Sequence, residues 1–142
     1  MVRLFAIREV LDGLATRLAA THIRKAEIDE FVRAFRRHDP SATSPGSVRR
    51  YVELDRAFHC RMMELAHNDQ LRAAMDSINM RFFVWQDGVV RPAAETIPEH
   101  LVILDALRRR DPDGAEAAMR LHIRRSLERL EEEAKTEATR GA

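Results

Sequence analysis

Apolar residues recur every third or fourth position along almost the whole chain, and no stretch alternates apolar with polar as a half-buried strand would. The period predicts six helices. The first covers Leu4 to Thr21, with Leu4, Ile7, Leu11, Leu14 and Leu18 as its stripe. The second covers Lys25 to Arg37 and turns Ile28, Phe31, Val32 and Phe35 inward. His38 through Ser47, with two prolines and a run of small polar residues, is the clearest loop. A third helix follows from Val48 to Ala66, with Ser47 as N-cap. Asn68 or Asp69 caps a fourth, which runs to Trp85 and ends at Asp87-Gly88. The fifth runs from Ile97 to Arg110. Thr96 is its N-cap, Pro98 lies in its first turn, and Arg108, Arg109 and Arg110 close it, an order that suits the helix dipole. Beyond the turn at Asp111-Pro112-Asp113-Gly114 the sixth extends to Glu133. The polar residues that follow, 136–142 above all, read as a frayed tail. Short connections between six helices predict an all-α, antiparallel six-helix bundle, one domain over residues 1–135.

Composition narrows the function more than the fold. The 142 residues suit a single core, and 5 Gly and 5 Pro leave long helices uninterrupted. A net charge of +1 gives no bulk basic field, which argues against nucleic-acid binding by a wide positive face. One cysteine, Cys60, excludes an internal disulfide and any cysteine-rich zinc site; it reads as a small core or boundary residue. No Gly-rich phosphate loop, HExxH or Ser-His-Asp order is present. No apolar run is long enough to span a bilayer and no leader opens the chain, so a soluble, cytoplasmic protein is expected.

The candidate chemistry lies where apolar residues should be. On the third helix Tyr51, Asp55, Phe58, His59 and Met62 share a face, which stacks Asp55 on His59 one turn apart. His100 lies among Ile97, Leu101, Leu104 and Leu107; His122 lies among Ala115, Ala118, Met119, Ile123 and Ser126. Each alone reads as a hydrogen-bonded core residue. Yet His100 and His122 stand at equal distances before and after Asp111, so an antiparallel hairpin about that turn brings both imidazoles to one depth. One acid and three imidazoles in one layer can cage a divalent metal, zinc first, with nickel or manganese as alternatives. Arg8 is a second inward oddity, either a snorkelling side chain or a fixed guanidinium able to grip a carboxylate. Arg81 and Trp85 are weaker candidates to line the same pocket. His22, His38 and His67 fall at helix ends or in loops and read as solvated, as does the helix end Glu131-Glu132-Glu133.

The ordered set of these residues resembles the C-terminal FCD effector domain of FadR-subfamily, GntR-type transcription regulators. Leu4 to Asp12 with Ala15 to Ala20 looks like the family's first helix, and Leu54-Asp55-Arg56-Ala57-Phe58-His59 matches its Asp-x-x-Phe-His signature. Asn68-Asp69-Gln70-Leu71, then Glu99-His100 with Ile103 to Leu107, then Asp111 to Ala115 with Ala118-Met119 and His122-Ile123, follow in order. The resemblance implies a helical bundle with Asp55, His59, His100 and His122 as metal ligands, Arg8 as an effector-binding residue, a small carboxylate effector and a homodimer. It also implies a DNA-binding winged helix-turn-helix ahead of the first helix, which this chain does not carry, so DNA would be reached only through a separate or missing domain.

Two rival classes stand beside this regulator reading. A metal with an open position could activate water in a hydrolase, which needs a general base; Glu64 and Glu99 are the nearest candidates in sequence, and neither is clearly inward. A helical interaction module would keep the same buried polar residues for hydrogen bonding alone.

Overall fold

The computed structural model describes residues 2–78 and 89–141, and among these it contains helices and no strand. The elements are α1 (Val2–Ala19), α2 (Lys25–Arg37), α3 (Pro45–Leu65), α4 (Asp69–Ser77), α5 (Ala93–Arg108) and α6 (Pro112–Arg140). The expected all-α class therefore holds. The expected run of the fourth helix to Trp85 extends outside the described residues, as do Arg81, Phe82 and Phe83.

Five of the helices close into a ring. α1 packs on α6, α6 on α5, α5 on α2, α2 on α3, and α3 back on α1, with α4 against α1 and α3. Ion pairs and ring contacts give the directions. Glu9 meets Arg124 while Arg17 meets Glu116, so α1 and α6 are antiparallel. Asp29 meets Arg108 and Phe35 stacks on His100, so α2 and α5 are antiparallel. Glu27 meets Arg61 and Phe35 meets Tyr51, so α2 and α3 are antiparallel too. A ring of five cannot alternate all the way round, and the odd pair is α1 with α3. Asp12 faces His59 and His22 faces His67, a parallel register.

Local chemistry sets the helix ends and moves several of them from their expected places. Ser44, not Ser47, caps α3: its hydroxyl accepts from Ser47 N, and Pro45 takes the first helical position, where its missing N–H costs nothing. Ser47 is then a buried helical residue. α5 starts at Ala93, four residues early. Thr96, expected as its cap, instead turns its hydroxyl back onto Pro92 O from inside the helix. Pro98 lies in the second turn, where it has no N–H to donate to Ala94 O, and both residues are exposed. Asn68 caps α4 as expected, accepting from Leu71 N at 2.9 Å. α6 runs on to Arg140, past the expected end at Glu133, although every residue from Glu131 is exposed.

The turn between α5 and α6 is a Schellman closure. Arg110 N donates to Leu107 O and Asp111 N to Ala106 O, with Arg110 at φ 53, a left-handed conformation usually left to glycine. Arg110 is not merely a cation at a helix end: its guanidinium donates to Ala20 O and Ile23 O, tying this turn to the end of α1. Asp111 then caps α6 through Gly114 N at 2.9 Å.

The inward face of α1 differs from the expected stripe. Phe5, Arg8, Asp12, Ala15, Thr16 and Ala19 are buried, whereas Leu4, Leu11, Leu14 and Leu18 are only partly covered and Ile7 is 46% exposed. Small residues let α1 approach its neighbours closely. At Gly13 an added Cβ would stand 2.6 Å from Arg120 Cγ of α6.

Candidate metal centre

The middle of the ring is polar. Asp55 and His59 come from α3, His100 from α5 and His122 from α6, and all four are buried. Each offers a ligand atom, and these atoms lie within 4.8 Å of one another. The His100 and His122 rings are 4.5 Å apart and the His59 and His122 rings 5.4 Å, so the equal-depth geometry expected of the α5–α6 hairpin is present. Phe35 of α2 stacks on His100 at 4.4 Å and Phe58 stands edge-on to it at 5.2 Å, an apolar floor that excludes water from one side.

The outer nitrogen of each histidine faces an acceptor. His100 Nδ1 lies 2.8 Å from Thr96 O, which can only accept, so that nitrogen is the donor and Nε2 carries the lone pair. His122 Nδ1 lies 2.7 Å from Glu99 Oε2. His59 Nδ1 lies 3.5 Å from Asp12 Oδ1. The inner nitrogens turn to Asp55: Oδ1 is 3.1 Å from His100 Nε2 and 3.7 Å from His59 Nε2. His100 Nε2 makes no aligned hydrogen bond among the described residues. A cation beside both would stabilise this lone pair and the carboxylate oxygen together.

The electrostatics are compatible with such a cation. Burial would raise the carboxyl of Asp55, but the charge of His59 and the His100 and His59 rings beside it hold it well below its ordinary value, so it is ionised. Burial pushes His122 down to about 3 and lowers His100 against the pull of Asp55, so both are neutral imidazoles fit to ligate. His59 is raised: burial and Arg8 lower it, and Asp55 and Asp12 outweigh them. Three imidazoles and one carboxylate suit a divalent ion of the zinc or nickel kind in donor type and number, and the residues present fit such an ion.

Around the cluster sit groups that sequence reasoning passed over. Asp12 is buried and accepts from Arg8 Nε at 2.7 Å. Glu99, matched to a family motif and weighed as a possible general base but not as a partner of His122, is drawn inward: Arg91 grips both its oxygens at 2.9 and 2.6 Å, and Arg125 adds a third donor at 2.7 Å. Glu64 is exposed and held by Arg61 on the outer surface. Arg91 is itself buried and also donates to Ser126 Oγ and His122 O. The i, i+4 spacing of Arg8 and Asp12 was a readable signal; nothing local marks Arg91, whose partners lie on α5 and α6. A cavity of about 20 Å³, room for roughly one water or ion, opens on the cluster between Arg8, Arg91, Asp55, His59 and His122. Arg8 is thus buried beside the centre, with its guanidinium 5.3 Å over the Phe5 ring. Arg81 and Trp85 lie outside the described residues. His22 and His67 are exposed at helix ends as expected, His38 is half-buried against Tyr51, and Cys60 is a free boundary residue.

No helix among the described residues is long and apolar enough to cross a membrane. No curated protein matches the chain. The model of the FCD domain family matches residues 3–125, which takes in α1, the whole centre and the first half of α6. FCD domains are typically the effector-binding part of GntR-family transcription regulators, a group that is generally non-enzymatic. On a match that spans most of its length and includes every residue of the centre, the chain belongs to the FCD domain family.

Proposed function

We propose that this protein is the metal-dependent sensing domain of a GntR-type regulator of the FadR subfamily, with Asp55, His59, His100 and His122 as the ligands of a divalent ion, zinc first and nickel or manganese as alternatives. The observation that carries the reading is the convergence of one carboxylate and three imidazoles from three helices on one buried point. The ion supplies a Lewis-acid anchor for an acidic effector, and the chain's own residues do the rest. Arg8 lines the same cavity and offers a guanidinium to the effector's carboxylate.

The cavity is too small for an organic acid as it stands, so binding requires the bundle to widen. An effector that favours the wider arrangement shifts the population toward it, which is the signal passed to a winged-helix domain on DNA. A homodimer is supported by the outward apolar side of α1, where Ile7 and Val10 are nearly half exposed beside partly covered Leu14 and Leu18.

The test is metal content of protein purified without chelator or immobilised nickel, alongside His122→Ala. About one ion per chain, lost in the variant, supports the reading. Absence of metal from the parent protein, even after zinc, nickel and manganese are offered, overturns it. Bound acid recovered chemically unchanged separates a sensor from a hydrolase.

A further inference from the structure

We propose that Glu99 and Asp12 are positioning residues for the metal, each fixed by a buried arginine and each aiming one ligating histidine: Arg91–Glu99 aims His122, and Arg8–Asp12 aims His59. The inference rests on the metal reading above and adds to it a requirement outside the ligand set.

Arg91, Glu99 and His122 form a closed circuit. Arg91 holds both carboxylate oxygens of Glu99, and Glu99 Oε2 accepts from His122 Nδ1 at 2.7 Å. The same guanidinium donates to His122 O at 2.9 Å, and its Nε reaches Ser126 Oγ one turn on. One arginine therefore fixes the backbone of His122 and, through Glu99, its ring. With the Nδ1 proton committed outward, Nε2 is left as an acceptor pointing at the centre. Such a fixed ring is what a ligand needs, since a freely turning imidazole loses orientation on binding.

The second circuit has the same order on other helices. Arg8 Nε donates to one oxygen of Asp12 at 2.7 Å, and the other oxygen lies 3.5 Å from His59 Nδ1. It is the looser of the two. His100 uses a backbone carbonyl in place of a carboxylate, so it needs no third circuit. Exposed ion pairs are worth little and are replaceable, but Arg8, Arg91 and Asp12 are each at most 5% exposed and sit beside the ligands. Their burial is explained if the carboxylates act on the histidines.

The probes are cobalt and zinc, titrated in competition with a chromophoric chelator. Glu99→Gln keeps the shape and an acceptor but removes the charge and the Arg91 clamp; it should weaken metal binding roughly 10–100-fold and shift the visible ligand-field bands of bound cobalt. Asp12→Asn should do the same to a smaller degree. Glu95→Gln, an exposed acid near Arg91 and Arg129, should bind as the parent does. All variants are compared at parental helical circular dichroism. If Glu99→Gln loses that signal, Asp12→Asn and Arg91→Lys carry the test, with weakened binding and a shifted cobalt spectrum expected of each. Parental affinity and an unchanged cobalt spectrum in the folded Glu99 and Asp12 variants, with binding lost in His122→Ala, overturn this inference and leave the metal reading standing. Absence of metal from the parent protein overturns both.

Discussion

A neutral imidazole has one donor and one acceptor, so the partner of its outer nitrogen decides what its inner nitrogen offers. At this centre Thr96 O and Glu99 make that choice for His100 and His122. The same groups govern how the metal-free protein responds to acid. Asp12, Asp55 and Glu99 are held below their ordinary values, so each contributes stability above about pH 4 that is lost as pH falls through the unfolded value toward the folded one. His100 and His122 act in the same direction. The unfolded chain takes up their protons below 6.5, whereas folded His122 resists until about 3. His59, raised, opposes them, because its contribution is present at low pH and lost as pH rises. Below pH 6.5 two lowered histidines outweigh one raised one, and the three carboxyls join them near pH 4, so urea midpoints of metal-free protein should fall from pH 6.5 downward. A midpoint that held or rose on acidification would contradict these assignments. At this scale the four residues of the buried cluster were legible, because a polar residue at a core position is conspicuous against an apolar period. Arg91 was not, since its partners Glu99, His122 and Ser126 become neighbours only when α5 and α6 pair.

Helix existence was also legible, and helix ends less so. α2 matches its expected span because its amphipathic period starts and stops sharply. α1 carries two faces that could each be inward. The leucine-rich one is the more apolar, yet packing chose the one with Ala15, Thr16 and Ala19, where small side chains permit close approach. That closeness predicts the response to bulk. Gly13→Val, which places a branched side chain where a Cβ alone would stand 2.6 Å from Arg120 Cγ, should cost roughly 1–3 kcal/mol in chemical denaturation. The α5–α6 turn predicts another value. Removing the cap with Asp111→Ala frees Gly114 N and should cost about 1 kcal/mol. A larger loss of metal affinity than of stability in that variant would mean that the turn also sets the register of His100 against His122.

For the whole molecule, the centre is held in common. α3, α5 and α6 supply the four clustered residues, α1 supplies Asp12 behind His59, and α2 supplies Phe35 against His100. An ion bound there is seen by the native state and hardly at all by the unfolded chain. Free metal at about a hundred times its dissociation constant should therefore add about 2.7 kcal/mol, on the order of 5–10 °C in melting temperature. Scanning calorimetry with and without chelator checks this, and His100→Ala should erase the difference.

The ring also has a consequence for the order in which the chain acquires its structure. α1 and α6, the first and last of the described helices, are direct neighbours, and the cluster residues are spread from Asp55 to His122. Contacts between distant parts of a chain form late, because the intervening loop must close first. During synthesis, α1 through α5 emerge without the helix that seals them, and the cluster has no third imidazole until α6 docks. The proposed metal site would therefore be a record of completion: an ion held by all four residues would mark a chain that has finished folding, and a nascent or truncated chain ending before His122 could not hold it in that way.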